Sequence, residues 1–104
     1  MSGTRLIAKF LAVADLRRTA FEYRGMARAL ALAGGAATAA GRAAEAADLY
    51  LRAGRSAQVQ DDRDNAGAWL RTARDLGERS GARAVAAEAT VRLDALATVA
   101  SASG

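Results

Sequence analysis

Small and apolar positions recur at a constant interval along this chain. Ala46, Ala66 and Ala86 mark the interval, and a similar neighbourhood surrounds each of them. The neighbours four positions later are Tyr50, Leu70 and Thr90; those seven positions later are Ala53, Ala73 and Leu93; and a turn-forming or helix-starting residue stands five positions earlier at Gly41, Asp61 and Gly81. Because positions four and seven apart share one face of an α-helix, the pattern predicts one helix and one turn in each interval. Such a repeat is typical of an antiparallel helical array.

The same spacing predicts five helices in a single all-α domain. Their predicted bounds are Thr4–Arg17, Ala20–Ala40, Ala43–Gln60, Arg63–Arg79 and Ala82–Val99. Within residues 1–104 we expect an N-terminal capping helix over 1–18, helical hairpins over 19–99 and a disordered tail over 100–104. The segment Thr19-Ala20-Phe21-Glu22 resembles a capping box that would start a second helix after a break near residue 18. No glycine or proline marks this corner, so a kinked continuous helix is the alternative. Proline is absent, and β-branched and aromatic residues are sparse, which argues against a sheet.

The predicted core is thin because 30 of the 104 residues are alanine. Alanine favours helix but buries little area. The positions expected to face inward are Ile7, Phe10, Leu11, Ala14, Met26, Leu30, Ala33, Ala37, Ala46, Tyr50, Ala53, Ala57, Ala66, Trp69, Leu70, Ala73, Leu76, Val85, Ala86, Ala89, Leu93 and Leu96. Gly34 and Gly35 lie inside the second helix, where they either weaken it or permit close approach of a neighbouring helix.

An acidic segment, residues 61–65, precedes the fourth helix. A calcium-binding EF-hand needs further oxygen ligands at fixed spacing, and the required positions are occupied by Ala66 and Ala73 when the loop begins at Asp62. We therefore expect no metal here. Asp61 or Asp62 instead caps the helix, and Gly81 is expected to end it in the left-handed conformation.

The composition offers few of the residue types on which enzyme catalysis usually depends. The chain contains no cysteine and no histidine, so the commonest nucleophile–base pairs and metal ligands are missing. No serine stands in a G-x-S-x-G motif, and Lys9, the only lysine, does not follow a phosphate-binding glycine loop. We expect no enzyme activity, no cofactor and no metal.

The formal net charge is +4, and basic residues concentrate near the N-terminus. A basic helical bundle that binds nucleic acid or an anionic membrane surface is therefore the alternative function. Against it, few aromatics are available to stack bases, and no helix combines a recognition face with a basic edge. We expect neither partner. The chain lacks a signal-peptide pattern and a transmembrane stretch, which predicts a cytoplasmic location.

The repeat resembles the tetratricopeptide repeat, in a degenerate form. Within residues 27–53 the resemblance is carried by Leu30, Ala33, Gly34, Ala37, Ala46, Tyr50 and Ala53. Within residues 47–73 it is carried by Tyr50, Ala53, Gly54, Ala57, Ala66, Leu70 and Ala73. The stretch 47–96 is most similar to a longer variety of about 40 residues per helical pair, in which Asp62 would mark the tight turn and Gly81 the link between repeats. Alanines replace bulky family positions, the usual proline is missing and the two placements share one helix, so a closed four- or five-helix bundle is the alternative fold.

The resemblance implies a non-catalytic protein–protein interaction scaffold that binds a peptide or helix of a partner. We expect the partner to lie on small residues of the third and fifth helices, with Arg52, Arg55 and Arg92 at the rim. Tyr50 and Trp69 are candidate anchors, because aromatic residues often dominate interfaces. Fewer than three helical pairs are present, so we also expect a homo-oligomer or a longer parent protein.

Overall fold

The computed structural model describes residues 6–12 and 23–103. Predictions for the remaining residues lie outside the described part of the chain. They include the break near residue 18, the capping box at residues 19–22, the inward position of Ala14 and the tail residue Gly104.

The described residues form five helices, so the predicted all-α fold is confirmed. They are α1 (residues 6–12), α2 (Tyr23–Ala39), α3 (Ala43–Val59), α4 (Arg63–Ser80) and α5 (Arg83–Ser103). The predicted bounds of α3 and α4 differ from these by one residue.

The C-terminal prediction needs correction, because helix α5 continues through residues 100–103 instead of giving way to a disordered tail. Alanine and serine follow one another there without glycine or proline until Gly104, and alanine has the highest helix propensity. Nothing in the local sequence therefore ends the helix at Val99.

The three turns between α2 and α5 share one backbone feature. Gly41, Asp61 and Gly81 have φ angles of 75°, 58° and 79°, and the next helix begins two residues after each. At the first turn, the N–H of Arg42 donates to the Ala37 carbonyl at 2.9 Å and the N–H of Gly41 donates to Thr38 at 3.0 Å.

The second turn repeats these two hydrogen bonds at the equivalent positions of the next unit. The N–H of Asp62 donates to Ala57 at 2.9 Å and the N–H of Asp61 donates to Gln58 at 3.1 Å. Both turns are therefore Schellman motifs. The turn at Gly81 shares the positive φ angle but has a different backbone hydrogen bond, in which the N–H of Arg83 donates to the Gly81 carbonyl at 2.9 Å. The expected doubled repeat unit therefore stays a prediction.

Asp61 is the one described residue other than glycine that has a positive φ angle. A side chain in the left-handed region costs roughly 1 kcal/mol, although aspartate tolerates it better than most residues. We expect Asp61→Gly to raise the free energy of unfolding by about 0.5–1 kcal/mol, measured by urea denaturation. Gly41→Ala is the matched comparison and should lower it by a similar amount, because no atom lies within 4 Å of the added Cβ and only the φ angle opposes it. An unchanged midpoint in both variants would contradict the prediction.

Successive helices run antiparallel and approach closely at glycine. Gly34 lies against the ring of Tyr50, and Gly54 lies against the side chain of Leu70 at the equivalent place in the next unit. The paired residues are centred on the intervening turns, as antiparallel neighbours must be. Close approach is thus the role of Gly34. Packing is extensive between α2 and α3, between α3 and α4, and between α4 and α5, whereas α2 and α5 do not pack together. Among the described helices α2–α5, the arrangement is an open array instead of a closed bundle.

The core follows the predicted pattern and extends beyond it. Among the predicted positions, Ala33, Ala46, Ala53, Ala66, Leu70 and Ala73 have no exposed surface. Leu49 and Leu51 are also buried, although they lie outside the predicted stripe of α3. The reason is that α3 packs on α2 and on α4, so it buries two faces instead of one. No polar or charged side chain in the described residues is buried, so their charged groups all lie at the surface.

Candidate interaction face between α3 and α5

The outward side of α3 carries a continuous exposed stripe. Its members are Asp48, Arg52, Arg55 and Val59, which succeed one another at intervals of three and four positions. Val59 is 86% exposed, the highest value among the large hydrophobic residues of the described chain. The stripe exists because the other two faces of α3 are occupied by α2 and α4, and only the third remains at the surface.

Helix α5 adjoins this stripe through polar contacts that pass over α4. The guanidinium Nε of Arg92 donates to Glu88 Oε2 at 2.8 Å, and its Nη1 donates to the side-chain oxygen of Gln58 at 3.0 Å. Arg55 Nε lies 3.7 Å from the same Glu88 oxygen. Residue numbers rise together in the pairs 55–88 and 58–92, so α3 and α5 run parallel. We name the surface formed by Asp48, Arg52, Arg55, Gln58, Val59, Glu88 and Arg92 the α3–α5 face.

The electrostatics of the α3–α5 face are moderately positive. Three arginines stand against two carboxylates, and Glu88 is shared by Arg55 and Arg92. The side chains of Arg55, Arg92 and Glu88 are 49%, 34% and 40% exposed, so each of these ion pairs contributes only a few tenths of a kcal/mol to stability. Arg52 is exposed and forms no ion pair with the described residues. Its guanidinium therefore presents its donors to solvent, ready for a carboxylate.

The structure brings together three of the five residues that the sequence named. Arg52, Arg55 and Arg92 share the α3–α5 face, whereas Tyr50 and Trp69 do not join them. Tyr50 packs against both hydrophobic clusters and Trp69 against the cluster that contains Leu30 and Leu49. Burial raises the pKa of the Tyr50 hydroxyl above its ordinary value.

The expected small-residue surface of α3 is not available to a partner, which corrects part of the sequence-based hypothesis. Ala46, Ala47, Ala53 and Ala57 are at most 1% exposed, because they form the contacts with α2 and α4. What α3 offers outward is the charged stripe that ends in Val59. A partner on this side therefore meets mostly guanidinium groups and one aliphatic side chain.

Four members of the face were not found from the sequence, namely Asp48, Gln58, Val59 and Glu88. Glu88 had a visible signal, since it stands four positions before Arg92 on one helix, the usual spacing of a helical ion pair. The contact between Gln58 and Arg92 joins distant parts of the chain. It depends on how far α5 slides along α3, which helical periodicity does not define.

The acidic turn before α4 forms an open depression of about 350 Å³, lined by residues 61–64. Its side chains already have local roles. Asp62 accepts hydrogen bonds from the backbone and side chain of Asn65, which confirms the predicted helix cap, and Asp61 pairs with Arg63 at 3.4 Å. In residues 6–12 and 23–103, no three acidic, histidine or cysteine side chains are grouped so that they could hold a metal ion.

Membrane-spanning potential is also absent from the described helices, none of which combines the length and hydrophobicity needed to cross a bilayer. Comparison with known proteins adds no family assignment: no protein-family model, no curated protein and no solved structure matches this chain.

Proposed function

We propose that this protein is a non-catalytic interaction scaffold, and that the α3–α5 face binds an acidic peptide or helix of a partner protein. The observation that carries the proposal is the clustering of Arg52, Arg55 and Arg92 on one exposed face, where Arg52 forms no ion pair with the described residues. The tetratricopeptide-like spacing of the sequence supports the same class of function, as does the lack of histidine and cysteine.

The binding mode follows from the geometry of the face. A helix or extended segment laid across the α3–α5 face would place its carboxylates over Arg52 and Arg55, and an apolar side chain over Val59. Arg92 is held by Glu88 and Gln58, so it would act mainly as a fixed edge of the face. Because the arginines are exposed, their contribution to affinity should weaken as the salt concentration rises.

A selection experiment tests this proposal. A displayed library of helical peptides is enriched on the immobilised protein, and the Kd of the recovered peptides is measured for the wild type and for Arg52→Glu. We expect acidic peptides, and a loss of affinity of about tenfold, or about 1.4 kcal/mol, in the variant because one charge-assisted hydrogen bond is replaced by repulsion.

Arg71→Glu is the matched control, since Arg71 is an exposed arginine on α4 outside the face. Equal losses in both variants would show that only net charge matters. Retention of the wild type on heparin or on anionic vesicles, with no peptide recovered, would instead favour the nucleic-acid or membrane alternative.

A further inference from the structure

Helix α5 exposes a face whose equivalents are buried or partly buried in α2 and α3. There Gly34 contacts Tyr50 of the next helix and Gly54 contacts Leu70, whereas in α4 the counterpart of Val91, Arg71, is itself exposed. The equivalents of Ala87, at residues 27, 47 and 67, are buried, as are the equivalents of Ala97 at residues 37, 57 and 77. In α5 itself Ala87, Asp94 and Ala97 are exposed, and Val91 is 67% exposed although its counterpart Leu51 is 3% exposed. These four side chains form what we name the α5 outer face.

Helix α1 carries the reciprocal face. Its Ile7 is buried and stands where residues 27, 47 and 67 stand in later units, so α1 has the same repeat register as the other helices. In that register, Leu6 and Phe10 are equivalent to the residues of α3 and α4 that face the preceding helix. Leu6 is 43% exposed, Lys9 is exposed and Phe10 is half-buried, so this side of α1 is at least partly open.

The sequence offsets of the existing contacts indicate which residues would be in contact if α1 of a second copy packed after α5. Gly34 contacts Tyr50 and Gly54 contacts Leu70, so in both cases the partner stands sixteen positions further along the chain. If the second copy continues the array, the position sixteen residues after Asp94 is occupied by Phe10 of that copy. Gly77 contacts Ala86, nine positions later, and that offset from Ala97 arrives at Leu6 of the second copy.

Charge complementarity favours this occupant. Asp94 stands where α2 and α3 have the glycines of closest approach, and it would oppose an apolar helix. Lys9 stands where α2, α3 and α5 have buried apolar residues, at positions 29, 49 and 89. Each charge alone disfavours burial at a helix–helix contact. In the proposed packing Lys9 neighbours Phe10, the residue that the offset places opposite Asp94, and an ion pair between Lys9 and Asp94 would offset this cost and favour one register.

We propose that copies of this chain associate head to tail, with α1 of one copy packed on the α5 outer face of the next. This association leaves the α3–α5 face open and does not depend on the proposed function. Because the two contacting surfaces differ, the interface is heterologous, and it continues to higher oligomers unless a ring closes.

Sedimentation velocity over a concentration series tests the proposal with the intact chain. We expect the weight-average mass to rise beyond that of a dimer. Asp94→Lys and Lys9→Asp should each weaken association about tenfold by placing like charges together, and the double variant should restore it because the pair is re-formed in reverse.

Glu78→Lys serves as the charge-matched control on α4 and should associate like the wild type. Circular dichroism melts verify that each variant is folded. A strict monomer up to the solubility limit, a species that stops at a dimer, or a double variant no better than the single ones would overturn the proposal.

Discussion

Leu70→Ala is expected to be the most destabilising single substitution in the array, lowering the free energy of unfolding by about 2–5 kcal/mol. Leu70 is the largest side chain that is completely buried, and it packs with Leu51, Ala73 and Ala89 from three helices. Two of these three neighbours are alanines, whose short side chains fill little of the space that the substitution leaves. Since small domains are stable by only about 5–15 kcal/mol, a loss of this size is a large share of the total.

Urea denaturation followed by circular dichroism measures the change. Leu32→Ala is the matched control, because Leu32 is a leucine on α2 that is 51% exposed. This substitution should lower the free energy of unfolding much less, by at most about 1 kcal/mol. If both variants lost the same amount, burial against α3 and α5 would not be the source of Leu70's contribution.

The sequence predicted the helices well because their signals are local. Turn residues at 41, 61 and 81 set the ends of the helices, and apolar spacing set one inward face for each. Asp62 as a cap and Gly81 as a left-handed terminus also follow from neighbouring residues alone. The extension of α5 to Ser103 was missed because small polar residues near Gly104 suggested fraying.

The candidate face was predicted only in part, for a physical reason. Periodicity assigns a residue to a side of its own helix, which was enough for Arg52 and Arg55. It does not state whether a helix has one neighbour or two, so the burial of Leu49 and Leu51 and the loss of the small-residue surface of α3 were not anticipated. The positive φ angle of Asp61 was not anticipated either, because glycine is the usual residue in that conformation.

Gly54→Ala should lower the free energy of unfolding by about 1–3 kcal/mol, although alanine has a higher intrinsic helix preference than glycine. Alanine is about 1 kcal/mol better than glycine inside a helix, so an unopposed substitution would stabilise α3. Here the new Cβ would lie 2.6 Å from Leu70 Cγ and 2.7 Å from Leu70 Cδ2. Leu70 is completely buried, so relieving this contact requires α3 and α4 to separate or the neighbours of Leu70 to repack.

Gly67→Ala is the matched control in α4. Its Cβ would meet only the end of the flexible Arg71 side chain, at 3.3 Å, so it should stabilise the protein by up to about 1 kcal/mol. Two helix-interior glycines would then respond with opposite signs, and urea midpoints of the two variants suffice to decide this. Stabilisation by both substitutions would mean that the α3–α4 contact is looser than the 2.6 Å approach implies.

A double-mutant cycle ties this prediction to the first. Once Leu70 is alanine, the atoms that oppose a Cβ at position 54 are gone, so Gly54→Ala should become neutral or stabilising in that background. The coupling free energy should therefore be about 1–3 kcal/mol, far above the few tenths expected for independent sites. Because Gly34 and Tyr50 make the same contact one unit earlier, a sign reversal at Gly54 would identify glycine opposite a large side chain as the feature that sets the spacing of α3 and α4.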